Sequence, residues 1–252
     1  MLKITVITVC FNAEKTIEKT ISSVCGQVYP NVEYIIIDGA STDRTLAIVD
    51  QFASKIKKVI SEKDKGIYDA MNKGVTAATG DVVYFLNADD HFCDEKVLSD
   101  VVKAFEEDGS RTLVYGKVKP EDVPDYYKPY LKEFFIVKTL DDFLKYTICH
   151  QAIFAKRSLF DNIGKFDCRY KFAADYDWQI RAYKFDPRGF YFLNRDICHF
   201  YYVGRSYQDL ELTNRENSRV RFEHLFSAHF VWHYLRYDLI RGLKKKLLGE
   251  KY

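Results

Sequence analysis

The stretch VVYFLNADD, Val82 to Asp90, decides the fold. Val82, Val83, Tyr84, Phe85 and Leu86 form an apolar run too short for an ordinary helix and rich in β-formers, the signature of a central strand covered on both faces. Its exit delivers two adjacent carboxylates, Asp89 and Asp90. Open α/β sheets place ligands at this edge. Two carboxylates crowded in a cleft repel one another, and a divalent cation relieves the repulsion while leaving positions for phosphate oxygens. An acidic turn capping the helix that starts near Asp94 accounts for the same residues. Alone, the stretch leaves both readings open.

On either side, strand and helix patterns alternate. Lys3 to Cys10 is apolar almost without relief and forms the first strand. Ile17, Ile21 and Val24 follow at helical spacing, Tyr29-Pro30-Asn31 breaks the pattern, and Val32 to Ile37 is a second apolar run ending at Asp38. Gly39 and Ser41-Thr42-Asp43 supply a turn and a helix cap before Leu46, Val49 and Phe52. Lys57 to Ile60 reads as a short third strand and Ile67 to Ala78 as a helix leading into the Val82 strand. This alternation predicts a mostly parallel sheet with right-handed crossovers. Each strand ends in a polar cluster: Asn12 and Glu14, Asp38, Glu62 and Asp64, then Asp89 and Asp90. Four such clusters on one edge predict a nucleotide-sized cleft.

With 252 residues the chain can bury a full α/β core. The 38 Lys plus Arg nearly balance 36 Asp plus Glu, so no nucleic-acid partner is expected. Six scattered cysteines show no metal-ligand spacing and read as reduced thiols. Neither a leader pattern nor a run of about 18 apolar residues is visible, which predicts a cytoplasmic location without a membrane span.

The series ITVITVCFNAE (Ile4 to Glu14), IIIDGASTD (Ile35 to Asp43), SEKDKGIYDAMNKG (Ser61 to Gly74) and FLNADD (Phe85 to Asp90) resembles an inverting family 2 glycosyltransferase with the GT-A fold. The resemblance covers roughly residues 2 to 205 and is nearest the branch that builds bacterial exopolysaccharides and the O-antigen of lipopolysaccharide. It implies a Rossmann-like α/β domain over residues 1–205, with a nucleotide-sugar half to about 118 and an acceptor half over 119–205. The implied reaction transfers a hexose, such as glucose, galactose or an N-acetylated relative, from a UDP-sugar to a hydroxyl of a glycan acceptor. A lipid-linked acceptor such as a polyprenyl diphosphate sugar would bring the protein to the inner face of the cytoplasmic membrane.

Carried over residue by residue, the resemblance places Thr8, Phe11 and Glu14 around base and ribose, and Asp38 on the base. A carboxylate accepting from a ring N–H prefers uracil to cytosine. A turn aspartate before Gly39 is the other reading of Asp38. Asp64, Lys65 and Gly66 would border the nucleotide, with Lys65 or Lys73 reaching phosphate. Tyr68 and Asn72 are candidates for sugar contact or for packing. The family's metal-binding DXD motif begins here with Asn87, so Asn87, Ala88 and Asp89 would face the nucleotide while Asp89 and Asp90 hold Mn²⁺ or Mg²⁺. His199 is a weaker addition to the metal shell.

In AADYDWQIR (Ala173 to Arg181) the resemblance implies the base that would take the acceptor's proton. Asp175 aligns with the family carboxylate, after an acidic residue replaced here by Ala174, and Asp177 is the competitor. On a helix, two residues of separation point the side chains apart, so only one faces the cleft. Trp178 is either a floor under the acceptor sugar or a core residue. His150 and Gln151 are acceptor-side or donor-sugar candidates, and Arg205 and Ser206 would form a loop over the diphosphate. Residues 206–252 read as C-terminal amphipathic helices: Arg219 to Leu248 mixes Phe222, Phe230, Trp232 and Leu239 with Arg241, Lys244, Lys245 and Lys246. Such a face suits a membrane surface, the catalytic domain or a homodimer partner. Two rival functions remain. One is a nucleotide-sugar-binding protein impaired in catalysis, suggested by Asn87 and Ala174. The other is a nucleotidyltransferase, whose Gly-rich loop is missing after the first strand.

Overall fold

The computed structural model describes residues 1–123, 125, 135–201 and 209–225. Its first half alternates β1 (Ile4–Cys10), α1 (Ile17–Cys25), β2 (Val32–Asp38), α2 (Thr45–Asp50), β3 (Lys58–Ser61), α3 (Ile67–Ala77) and β4 (Val82–Phe85). β5 (His91–Phe92), α4 (Val97–Glu107), β6 (Leu113–Glu121), β7 (Ile153–Lys156), α5 (Arg157–Ile163), α6 (Ala174–Phe185), β8 (Phe190–Tyr201) and α7 (Leu210–Leu225) follow. The strands form one eight-stranded sheet in the order β3-β2-β1-β4-β7-β6-β8-β5.

The period of two in the apolar runs divides the core. Ile7, Val9, Ile35, Ile37, Val83 and Phe85 face one layer, which also holds Met71 of α3 and Trp178 of α6. Ile4, Val6, Tyr34, Ile36, Val82 and Tyr84 face the other, with Ile21 of α1 and Val101 of α4. Alternate residues point to opposite faces, so continuous apolar runs are what a sheet covered on both sides requires.

The parallel expectation holds for β3, β2, β1 and β4. Beyond β4 the sheet is mixed: β7 is antiparallel to β4 and β6, β6 and β8 run parallel, and β5 lies antiparallel to β8. Since β6 spans residues 113–121, the division near 118 falls inside a strand and the two halves share one sheet.

Register fixes what meets at the edge. Cys10 lies beside Asp38, Asp38 beside Ser61, and Ile7 beside Phe85, so the polar ends of β1 to β4 converge. β5 turns back and sets His91 opposite His199, while the Tyr201 amide donates to Asp90 Oδ1 at 3.0 Å. The opposite edge is tied by Glu33 at the start of β2. It accepts from Lys3 Nζ at 3.0 Å, Thr5 Oγ1 at 2.6 Å, Thr79 N at 2.7 Å and Thr79 Oγ1 at 2.6 Å.

α7 packs on α6, burying Val220 and Leu225. Residues 210–225 of the proposed C-terminal segment thus belong to the domain. Residues 226–252, which carry most of the basic and aromatic stretch, lie outside the described residues.

Candidate functional site

Asp38 sits at the centre of the converging strand ends and is fully buried. Its Oδ2 accepts from the Ser41 amide at 3.0 Å and the Ser61 hydroxyl at 2.6 Å, and its Oδ1 from the Ser41 hydroxyl at 2.5 Å. A base N–H reaches it only if one of these rotatable hydroxyls gives way. Burial and the Asp38 carboxylate together push the Cys10 thiol upward.

The turns after β1 and β2 are backbone-strained, with Asn12 at φ 51° and Ala40 at φ 65°. A non-glycine residue in this region costs about 1–2 kcal/mol and persists where its neighbours over-determine it. Asn12 meets that condition: its amide donates to Ser41 Oγ at 2.8 Å, and its side-chain oxygen accepts from Thr42 N at 2.9 Å. At Gly39 an added Cβ would stand 2.5 Å from Asp64 Oδ2, so only glycine lets Asp64 close over the end of β2. Asp64 in turn accepts from Gly66 N at 2.9 Å.

Around this floor, Phe11 is 49 % exposed and presents an open ring face on which a base can stack. Glu14 accepts from the Arg44 amide at 3.0 Å and faces its guanidinium at 3.6 Å. Lys65 is exposed, its backbone amide held by Asp69 Oδ2 at 3.0 Å. Lys73 is engaged by Glu62 at 3.0 Å and Asp69 at 3.6 Å, with a 2.9 Å bond to the Lys63 carbonyl. Thr8 is buried against the Tyr34 hydroxyl at 3.0 Å. It supports the pocket from below and does not line it.

After β4, Ala88 is buried, Asp89 is exposed and Asp90 is 1 % exposed. Burial, then the neighbouring Asp89 charge, drives the Asp90 carboxyl well above the ordinary range, and the Tyr201 amide and Gln151 only partly oppose this. Asn87 Oδ1 and Asp90 Oδ2 are buried oxygens with no hydrogen-bond partner. Orphaned acceptors beside paired carboxylates suit a hard divalent cation, which supplies the missing charge without a proton. The residues present therefore fit Mg²⁺ or Mn²⁺.

A second group begins at His91, next to Asp90. His91, Glu121 and His199 offer ligand atoms within 4.8 Å of one another. His199 Nδ1 is 2.8 Å from Glu121 Oε1, and the two imidazoles stack at 4.5 Å with planes 3° apart. A cation must lie near the plane of each ligating ring, so stacked parallel rings cannot share one unless a ring turns. As built, the trio is a hydrogen-bonded stack.

A further polar cluster centres on Asp175, in the first turn of α6. Tyr68 OH donates to its Oδ1 at 2.7 Å, and His150 Nδ1 lies 3.4 Å from its Oδ2. His150 Nε2 is 3.2 Å from Asn87 Nδ2, so a continuous chain runs Asn87–His150–Asp175–Tyr68. One tautomer satisfies it: Asn87 donates to Nε2 and Nδ1–H donates to Asp175. Burial alone would raise the Asp175 carboxyl. The hydrogen bond from His150, then those from the Tyr68 hydroxyl and the Tyr176 amide, more than offset it and hold Asp175 below the ordinary carboxylate range.

Five sequence candidates take other roles. Asp177 points away from Asp175 into a buried pair with Arg181 at 2.8 Å and His224 at 2.7 Å. Trp178 is 2 % exposed, stacks on Phe160 at 4.4 Å and donates to the Gly164 carbonyl at 3.0 Å, so it is core and not a sugar floor. Asn72 spends both ends of its amide on the Phe166 backbone, at 2.9 and 3.0 Å. Gln151 is buried behind Asp90, its carbonyl accepting from Tyr84 OH at 2.7 Å. Tyr68 reaches the site by holding Asp175, and its buried hydroxyl is not open to a sugar. Arg205 and Ser206 lie outside the described residues. Sequence reasoning missed His91, which follows Asp90 directly, and Glu121, which no motif marks.

Residues 5–164 match the family model described as glycosyl transferase family 2. Over 176 residues the chain is 35 % identical to a PGL/p-HBAD biosynthesis glycosyltransferase of Mycobacterium tuberculosis, a match covering 68 % of this chain and 66 % of that protein. The chain thus spans a little under two thirds of this relative's length. The structure of Staphylococcus aureus TarS 1-349 in complex with UDP-GlcNAc shares the fold at TM-score 0.69 and 20 % identity, covering 91 % of this chain and 69 % of that one. The mannosyltransferase PcManGT of Pyrobaculum calidifontis, in complex with GDP-Man and Mn²⁺, shares it at TM-score 0.65 and 22 % identity over 88 % of this chain and 63 % of that one.

Proposed function

Because the chain belongs to glycosyl transferase family 2, we propose that it is an inverting, metal-dependent transferase moving a hexose from a UDP-sugar to a hydroxyl of a glycan acceptor. The observation that carries this reading is the chain Asn87–His150–Asp175–Tyr68, which joins the cation-suited oxygens after β4 to an ionised carboxylate 3.4 Å from His150.

Phe11 stacks the base, and Asp38 takes its ring N–H when Ser41 or Ser61 swings aside. Asp64 and Gly66 border the ribose. Asp89 and Asp90 would hold the divalent cation, which would supply positive charge to the diphosphate. Asp175 accepts the acceptor hydroxyl's proton as the oxygen attacks the anomeric carbon. A carboxylate has about four lone-pair positions, so the bonds from Tyr68, His150 and the Tyr176 amide leave one for this proton.

A panel of UDP-sugars screened by thermal shift with Mn²⁺ tests the donor class: at least one should raise the melting temperature and be hydrolysed, and a flat panel would end the reading. Asp89→Ala is expected to weaken Mn²⁺-dependent UDP binding by at least about tenfold, since even indirect metal-site partners are worth 10–100-fold. His199→Ala should leave that affinity within about twofold, because His199 is committed to Glu121.

The acceptor reading, a lipid-linked glycan in surface polysaccharide synthesis, draws on the basic and aromatic stretch in residues 226–252, which lie outside the described residues. Among the described residues no helix is long and apolar enough to cross a membrane. Replacing Lys244, Lys245 and Lys246 by Glu should abolish co-flotation with anionic liposomes. Equal flotation of both proteins points instead to a protein-facing tail.

A further inference from the structure

α6 carries Asp175 in its first turn, yet its N-cap is Ala173, which has no side-chain acceptor to offer. The amides leading into the helix are satisfied from elsewhere. Glu216 of α7, 8 % exposed, accepts through Oε1 from Lys171 N at 2.9 Å, and through Oε2 from Lys171 N at 3.0 Å, Phe172 N at 2.7 Å and Ala173 N at 3.2 Å. Three successive amides on one carboxylate form an anion nest beside the positive end of α6. α7 is held in register by Tyr170 OH donating to Glu223 at 2.8 Å and by His224 against Asp177 at 2.7 Å.

We propose that Glu216 is a positioning residue for the base: reaching across from a different helix, it fixes the segment 171–173 and so sets the first turn of α6 from which Asp175 meets Tyr68 and His150. The catalytic meaning of this contact rests on Asp175 being the base. Glu216 lies beyond residues 5–164, the part that matches the family, and no motif points to it. Its signal is structural: an N-cap with no side-chain acceptor, preceded by amides that are met from another helix.

The groups that set the Asp175 titration are Tyr68 from α3, His150 from the turn before β7, and the helix's own amides. Tyr68 also feels the Glu216 charge. If Glu216 holds the turn, removing it loosens the contacts that keep the Asp175 carboxyl low, and the carboxyl rises toward the ordinary aspartate range.

The test is carboxyl-carbon NMR titration of full-length protein, with Asp175→Asn identifying the resonance. It runs alongside Mn²⁺-dependent UDP affinity and UDP-N-acetylglucosamine hydrolysis. Glu216→Ala should raise the Asp175 titration, lower hydrolysis by about tenfold to a hundredfold as a displaced reacting group does, and leave UDP affinity within about twofold. Glu216→Gln, whose carbonyl can take the place of Oε2, should restore the low titration and hydrolysis to within about threefold. Should Glu216→Ala not fold, Glu216→Asp, with its carboxylate drawn back by one methylene, should show the same upward shift in smaller degree. An Asp175 titration unchanged in the folded Ala or Asp variant overturns the proposal, as does UDP affinity falling in step with hydrolysis. Full hydrolysis by Asp175→Asn overturns the base assignment instead, and the carboxyl titration still decides the positioning.

Discussion

Replacing Asp175 by asparagine is expected to lower UDP-sugar turnover by about 10³-fold while leaving UDP affinity within about twofold. General-base catalysis contributes about 10²–10⁴, and three decades correspond to about 4 kcal/mol of transition-state stabilisation. The substitution is nearly isosteric. With the asparagine carbonyl accepting from Nδ1–H of His150 and its amide donating to the Tyr68 hydroxyl oxygen, the imidazole keeps its tautomer and the Asn87 oxygen stays free for the cation site. Shape and fold survive, and the proton acceptor is lost. Because Asp175 sits below the ordinary carboxylate range, it is ionised throughout neutral pH, and the acid limb of turnover in the native protein should lie below the ordinary aspartate value. Tyr68→Phe removes one of the bonds that stabilise the charge, so the same limb should move upward. If Asp175→Asn keeps more than a tenth of the turnover while Asp177→Asn loses it, the base has been misassigned. Asp177→Asn should act on stability instead, because it breaks a buried pair with Arg181 and His224.

Much of this site was legible in the chain because strands are short, periodic and register-locked. The four polar clusters ending Ile4–Cys10, Val32–Asp38, Lys58–Ser61 and Val82–Phe85 had to share an edge once the runs were read as parallel. The separation of Asp175 from Asp177 followed from helical geometry alone. What the sequence did not disclose was direction and depth. Trp178, Gln151 and Asn72 are residue types found at sugar sites and in cores alike, and only the packing of Phe160, Tyr84 and Phe166 against them decides between the two. The antiparallel insertion of β7 was equally hidden, since an apolar tetrapeptide such as IFAK carries no mark of its polarity. Long-range pairs are the least legible of all. The bond from Ala173 N to the Glu216 carboxylate and the pairing of His91 with His199 join residues that share neither a motif nor a local period.

At the far end of the sheet the physics is separable from the chemistry, and Glu33→Gln should show it. Glu33 is 4 % exposed, and its four contacts are donors from Lys3, Thr5 and Thr79. Burial opposes its ionisation, but bonds from the Thr5 and Thr79 hydroxyls, the Thr79 amide and Lys3 prevail and lower its pKa from 4.5 to about 2. A fall of that size is linked to about 3 kcal/mol of folding stability at neutral pH. The sign follows from the depressed value: the contribution is complete above the unfolded-state value of 4.5 and is lost as pH falls through about 2. A glutamine places two donors among donors and cannot restore it. At pH 7 the variant should therefore melt about 6–12 °C below the native protein, taking 2–4 °C per kcal/mol for a chain of this size. The gap should close to roughly half near pH 3, and vanish below pH 2. β2 separates Glu33 from Asp38 by about 17 Å at 3.3–3.4 Å per residue, so turnover of the folded variant at pH 7 should match the native protein. A melting gap constant from pH 7 to pH 3 would show that Glu33 acts through packing and not through its charge.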